Sequence, residues 1–254
     1  MLRSFTIAWH FLTAVPLQAR CHEATPQELA RSMAWFPVVG MVLGGVLAGT
    51  DLVLSATIPP SILNVLLIAW LVLLTGGLHV DGLADSVDGI AGGRTPTDRL
   101  AIMRDARIGA IGATGLMLAL GLRYAGLMAV PHAERLAVLL CMPALGRWAM
   151  VVTAFSMPYA RPEGGLAQPF LQQLSAREVL AATIVPLGAL CWFFGARGIV
   201  VCAVIAMIAR SIAALSRRLL GGITGDVLGA ANEVAEIVFV IAITAMAVRA
   251  EALA

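Results

Sequence analysis

The chain has 254 residues, of which 60% are hydrophobic and 13% charged, with a formal net charge of +2. Soluble domains carry roughly 25% charged residues, so this composition excludes a soluble globular protein, which would leave too much apolar surface in water. The expectation is an all-α integral membrane protein, a polytopic helical bundle forming a single membrane domain over residues 1–254.

Residues 1–32 read as an N-terminal interfacial segment. Arg3 precedes an apolar stretch from Phe5 to Leu17, but no small-residue cleavage site follows, so it is not a signal peptide. The stretch "RSFTIAWHFLTAVPL" reads instead as a short helix at the membrane surface, ended near Pro16. Seven segments then have the roughly 20 apolar residues that a spanning helix needs: 33–55, 61–80, 108–130, 135–156, 178–195, 197–215 and 234–250. Only Gly195-Ala196-Arg197 separates the fifth from the sixth, a tight hairpin or one broken helix, so the count runs from six to eight. Alternating β patterns are absent, and helices satisfy every backbone group internally, as lipid requires. Cysteines at 21, 141, 191 and 202 form no C-x-x-C pair and read as small buried hydrophobes.

All 17 basic residues are arginine. Their placement orients the chain. Arg3, Arg20 and Arg31 precede the first span. Arg94, Arg99, Arg104 and Arg107 follow the second, Arg161 and Arg177 the fourth, Arg217 and Arg218 the sixth. The opposite side has only Arg135, Arg197 and Arg249, while Arg123, Arg147 and Arg210 fall inside spans. The amino terminus and the acidic or glycine-rich loops 81–107 and 216–233 are therefore expected in the cytoplasm, with the carboxyl terminus outside.

Directly after the second span stands "GGLHVDGLADSVDGIAGG". On a helix Asp81, Asp85 and Asp88 fall at i, i+4 and i+7, within about 60° of one another. Three like charges that close repel unless some protonate or a divalent cation lies between them. Magnesium fits, since it takes oxygen ligands and bridges carboxylates to substrate phosphates. One aspartate alone would read as a helix-capping acid facing water, but ionisable groups beside a span are usually functional. The nearby glycines leave room for a ligand or a second backbone. His79 is open to two readings: a general base or metal ligand, or a side chain that bonds a carbonyl and holds the helix start. His10, His22 and His132 belong to no constellation.

Further polar islands follow. Arg104, Asp105 and Arg107 precede the third span; they mark its cytoplasmic edge or hold a phosphate at a helix start. Arg147 lies within the fourth span and needs a partner, either the acid cluster or a substrate phosphate. "YARPEGGLAQPF" carries Arg161 and Glu163 and is a lid or a connector. "GGITGDVLGAANE" places Asp226 in a glycine-rich turn before Asn232 and Glu233. It lacks the ending of a P-loop, and two Gly-rich acidic loops on one membrane face read as halves of one site.

"HVDGLADSVDG" (79–89), "AIMRDARIGAIG" (101–112) and "GGITGDVLGA" (221–230) resemble the signatures of the cobalamin synthase family, the adenosylcobinamide-GDP ribazoletransferases. Motif order and membrane pattern agree over nearly the whole chain. The resemblance implies a Mg²⁺-dependent reaction. Adenosylcobinamide-GDP would be joined to α-ribazole or its 5′-phosphate, with GMP released and adenosylcobalamin or its 5′-phosphate formed, the last assembly step of the nucleotide loop in cobalamin biosynthesis. It further implies a bacterial inner-membrane location with the site towards the cytoplasm. On this reading Asp81, Asp85 and Asp88 bind metal, Asp85 being also catalytic, and Asp105 or Asp226 orients the attacking hydroxyl. His79, Arg104, Arg107, Arg147, Arg161 and Asn232 contact substrate. The partners are the two substrates and the lipid bilayer, with room for other cobalamin-assembly enzymes and a second copy of the chain, and no nucleic-acid polymer. A CDP-alcohol phosphotransferase also carries a Mg²⁺-binding aspartate helix, but "DGLAD" lacks that family's arginine. An ion-coupled transporter would use the acids as a relay, and no self-similarity between halves supports it.

Overall fold

The computed structural model describes residues 2–17 and 24–251. Arg20, Cys21 and His22 lie outside the described residues. Among the described residues the chain carries helices and turns, no strand, and an isolated parallel bridge between Tyr159 and Ile223.

The described chain opens with α1 (Leu2–Leu12), then α2 (Pro26–Ser32), which starts at a capping box of Thr25 and Glu28. A 3₁₀ turn, Met33–Trp35, carries α2 on into α3 (Phe36–Leu54), so Pro26–Leu54 is one apolar run of 29 residues. α4 (Pro60–Leu74) and α5 (Leu78–Gly92) meet at 89°. Gly76 (φ 60°) and Gly77 (φ 73°) make that bend, in a left-handed region that costs glycine nothing. Next come α6 (Pro96–Ile102), α7 (Ala110–Ala129), α8 (Arg135–Ala154) and the single turn α9 (Gln168–Leu171). α10 (Ala176–Phe194), α11 (Ala196–Leu220) and α12 (Gly225–Glu251) complete the bundle.

Among the described residues six helices are long and apolar enough to cross a membrane, or seven if the bent pair α4–α5 is one span. The ambiguity at Gly195 resolves as a hairpin. A Cβ on Gly198 of α11 would lie 2.6 Å from the carbonyl carbon of Leu190 in α10, so the two helices fold back on each other. The bundle is organised around α8 and α12. Their spans are 83% and 61% buried, against 22% for α7 and for α10. The outer helices instead present Leu52, Leu73, Met117, Leu180, Ile184 and Met207 to their surroundings, the apolar surface that lipid covers. α3 seats on α8 through glycine: a Cβ on Gly40 would lie 2.5 Å from Ala144 Cα.

Two sets of charges, one partly and one fully buried, tie the helices together. Near one end of the bundle, Arg135 donates to Asp51 at 2.8 and 2.7 Å and to Asn64 at 2.6 Å, joining α8 to α3 and α4. In the interior, Arg123 of α7 lies 2.7 Å from Glu233 and 2.9 Å from Glu236, both on α12, and Arg147 of α8 pairs with Glu236. Asn232 Nδ2 donates to Glu233 at 3.2 Å and to Glu236 at 3.1 Å. Two cations thus face two anions, all buried. Removing one member would strand a buried charge at a cost of about 3–5 kcal/mol.

Several sequence expectations change. The segments 81–107 and 216–233 are not open loops. α5 continues to Gly92, α11 to Leu220, and α12 starts at Gly225, leaving a turn of four residues, 221–224. The glycines, expected to leave room for a ligand or a second backbone, do the latter at Gly82, Gly89 and Gly229, which sit inside helices directly against another backbone. The second span stops at Leu74, six residues early, because of the Gly76–Gly77 bend. Residues 2–17 do not merely rest on a surface: Ala8 and Leu12 are buried, and Phe11 stacks on Phe36 and packs tilted against Phe170. Cys141, Cys191 and Cys202 are free, but Cys191 is exposed rather than buried.

Candidate active site

α5 carries the aspartates, and its glycines decide what they face. A Cβ on Gly82 would lie 3.0 Å from Asp226 Cα, and one on Gly229 would lie 3.3 Å from the Cα atoms of His79 and Gly82. Backbone therefore meets backbone where α5 crosses the start of α12, and a Cβ at Gly82 would force the two helices to shift. Asp226 arrives beside the α5 acids although the two lie about 140 residues apart in sequence. The Asp85 carboxylate is repelled by Asp81, Asp226 and Asp88 and attracted by Arg161. The two acidic segments thus lie side by side at the α5–α12 crossing.

The cluster is not uniform. Asp88 accepts hydrogen bonds from the backbone N–H groups of Gly109 and Gly112, each at 2.7 Å. It caps the start of α7, where unpaired N–H groups and the helix dipole favour a carboxylate. Each of its oxygens therefore already accepts one hydrogen bond. Asp81 and Asp226 both line a cavity of about 290 Å³, together with His79, Arg104, Tyr159 and Arg161. A wider groove of about 630 Å³ adjoins it, sharing Phe11, Leu78 and Asp81.

A strap from Phe155 to Ala167 closes one side. Ser156 takes a left-handed φ of 58° at its start. The strap bonds the turn before α12: Ala160 N donates to Ile223 O and Ile223 N to Pro158 O, both at 2.9 Å. Arg161 Nη2 lies 2.6 Å from Asp226 Oδ2, which also accepts from Thr224 Oγ1 at 3.2 Å. Arg104 pairs with Glu163. Burial pushes the Tyr159 phenol up from its ordinary range, so it stays protonated and can donate. The segment read as a lid or connector thus supplies the Tyr159 and Arg161 side chains to the cavity lining, and Glu163 reaches Arg104 at its edge.

Other candidates fall elsewhere. Asp105 and Arg107 form an exposed pair at 2.7 Å outside the cavity lining. Hydrogen bonds from Arg107 hold the Asp105 carboxyl down at about 2, which makes it a poor base at neutral pH. Arg147 finds its protein partner in Glu236 and not in the α5 acids. Asn232 is wholly buried against the same glutamates. Both stand behind the cavity instead of in it, because the spans that carry them pack face to face. His79 connects the two layers. It lines the cavity, is 2% exposed, and its Nδ1 lies 3.4 Å from Arg147 Nη2. Tyr159, Phe11 and Leu78 were not singled out from sequence. Glu236 was also overlooked, although an acid three residues beyond Glu233 inside an apolar run was a readable signal. Among the described residues no three His, Cys, Asp or Glu side chains are arranged to hold a metal ion by themselves.

Comparison with known proteins places the chain among named relatives. The family model described as cobalamin-5-phosphate synthase matches residues 4–244. A protein from Syntrophobacter fumaroxidans, named adenosylcobinamide-GDP ribazoletransferase, is 42% identical over 97% of this chain and 100% of its own. Proteins of the same name from Geotalea daltonii and Pseudomonas savastanoi pv. phaseolicola are 38% and 40% identical. These alignments cover 97% and 92% of this chain, and 98% and 95% of theirs. No solved structure matches the chain.

Proposed function

The chain belongs to the cobalamin-5-phosphate synthase family, and from that premise we propose that it transfers adenosylcobinamide phosphate from adenosylcobinamide-GDP to α-ribazole or α-ribazole 5′-phosphate, releasing GMP. The observation that carries this reading is the convergence of Asp81 and Asp226 on a cavity that also holds Arg104 and Arg161, with the Asp85 carboxylate within the field of both acids. Acids for a metal and guanidinium groups for phosphate are the parts that phosphoryl transfer needs.

The donor set suits Mg²⁺. It offers carboxylate oxygens, and the mutual repulsion around Asp85 is relieved by one guanidinium alone. Magnesium commonly takes one or two carboxylates and completes its shell with substrate phosphate and water, so three preset protein ligands are not required. Asp81 and Asp85 would hold the ion, with Asp226 or Asp88 at its edge. Bound there, Mg²⁺ would neutralise charge on the pyrophosphate.

The remaining chemistry falls to the chain. Arg161 and Arg104 hold the pyrophosphate and fix the reacting phosphorus in the cavity. A ribose hydroxyl of the ribazole attacks the phosphorus joined to cobinamide. Its proton passes to a carboxylate, for which Asp226 is the acid in place. The bond from that phosphorus to the GMP oxygen breaks, and GMP leaves with the electron pair. The arginine-rich loops gather at the same end of the bundle as the cavity, which supports a site facing the cytoplasm from the inner membrane.

Purified protein in detergent, given both substrates, should release GMP and form the joined corrinoid, and a chelator should stop it with Mg²⁺ restoring it. Absence of GMP with either ribazole form, in protein that stays folded, would sink the proposal.

A further inference from the structure

His79 belongs to the cavity on one side and to the buried charges on the other. We propose that His79 serves as a neutral hydrogen-bond donor, its Nε2–H directed to a phosphoryl oxygen of the bound pyrophosphate, and that Arg147 is the positioning residue that sets this tautomer. The inference rests on the phosphoryl-transfer reading above and deepens it.

A guanidinium has donors and no acceptor. Arg147 Nη2 faces His79 Nδ1 at 3.4 Å, so Nδ1 presents its lone pair and the ring proton stands on Nε2. A ring protonated on both nitrogens would set N–H against N–H at that contact. Arg147 cannot turn away, since it pairs with Glu236 and Nη1 also donates to Pro143 O at 3.3 Å. Glu236 is in turn held by Arg123 at 2.9 Å and by Asn232 at 3.1 Å. The network reaches across α7, α8 and α12 and ends on Nδ1 at the edge of the imidazole.

The opposite nitrogen is left over. His79 Nε2 is buried and has no hydrogen-bond partner. A buried donor without an acceptor is costly and uncommon, and this one belongs to a side chain that lines the cavity beside Asp81, Asp226 and Arg161. An anionic oxygen entering that cavity would satisfy it. The same proton excludes the other readings of His79. With its Nε2 lone pair used for N–H and its Nδ1 turned to Arg147, the ring has no free nitrogen for a metal or for a substrate proton. A donor already in place where phosphoryl charge develops needs no rearrangement at the moment of reaction.

The test compares His79→Gln, His79→Asn and His79→Ala in full-length protein in detergent. The glutamine amide nitrogen reaches the place of Nε2, whereas the asparagine amide reaches only that of Nδ1. All three should bind Mn²⁺, followed by electron paramagnetic resonance, with unchanged affinity. His79→Gln should keep kcat within about tenfold, and the other two should lose on the order of 10²-fold, the scale of one missing oxyanion donor. Three outcomes overturn the proposal: Mn²⁺ affinity falling tenfold in His79→Ala, which makes the ring a ligand; His79→Asn matching His79→Gln; or His79→Ala retaining full kcat, which means a water satisfies Nε2. Should the substitutions unfold the protein, Arg147→Lys provides a second route: it retains the charge near Glu236, and loss of kcat with unchanged Mn²⁺ binding and thermal midpoint is expected. A wild-type protein that binds Mn²⁺ but transfers nothing would count against the ribazole reading instead.

Discussion

Asp85 feels three like charges and one guanidinium, and no hydrogen bond from the described residues offsets them. Asp88, one turn on, accepts two backbone N–H bonds at 2.7 Å. Their substitutions should therefore fail differently. Asp85→Asn removes repulsion and a metal ligand; kcat should fall on the order of 10²-fold or more, with the thermal midpoint held or raised. Asp88→Asn weakens the cap of α7 and should cost about 1–2 kcal/mol, visible as a lower thermal midpoint. If Asp88→Asn were to lose turnover with no loss of stability, its main work would be ligation. Asp105, exposed and held at about 2 by Arg107, should tolerate change to Asn with kcat within about twofold; a hundredfold loss would return it to the active site.

Helix contacts in the site run through glycine. Gly82 admits Asp226, whose carbonyl oxygen would sit 2.8 Å from an added Cβ, whereas a Cβ on Gly121 of α7 meets nothing within 4 Å. Gly82→Ala should then push α5 off α12, at a cost of about 1–3 kcal/mol for overpacking, and should lower kcat by at least tenfold as Asp81 and Asp226 separate. Gly121→Ala is the control and should be neutral or slightly stabilising. Equal behaviour of the two would mean that α5 can shift without consequence. The same proximity makes Asp85 and Asp226 parts of one unit. Asp85→Asn with Asp226→Asn should cost little beyond the worse single change; simple multiplication of the two defects would separate them.

For the whole molecule, topology is the open measurement. The bent pair α4–α5 brings the chain back to the end where α6, the strap and the α11–α12 turn meet: Arg99 donates to Leu219 O at 3.1 Å, and Arg104 pairs with Glu163. With the native cysteines replaced by alanine, single cysteines at Thr97 and Arg218 should react with an impermeant reagent only from the cytoplasmic side. A cysteine at Ala56, in the exposed turn between α3 and α4, should react only from outside. Labelling of Thr97 and Ala56 from the same side would mean that α4–α5 is a re-entrant pair and not a span.

Membrane residence, the helical class, the approximate span count and the spacing of the α5 acids were legible in the sequence because each is local: apolar run length and i, i+4, i+7 spacing involve neighbours along one helix. The pairing of the α5 acids with Asp226 was legible as well, since both follow Gly-rich runs on one predicted face. Which polar residues face substrate and which face each other was not. Arg147 and Arg161 look alike as arginines near acids, yet Arg147 meets Glu236 inside the bundle while Arg161 meets Asp226 at the cavity edge. The rotation of α8 against α12 decides that, and it is set by packing across the whole bundle, where a buried charge must find its counter-charge. The 89° bend that turns α5 onto α12 likewise needs two glycines in the left-handed region. The sequence permits that conformation, but only the docking of Gly82 and Gly229 against each other's helices selects it.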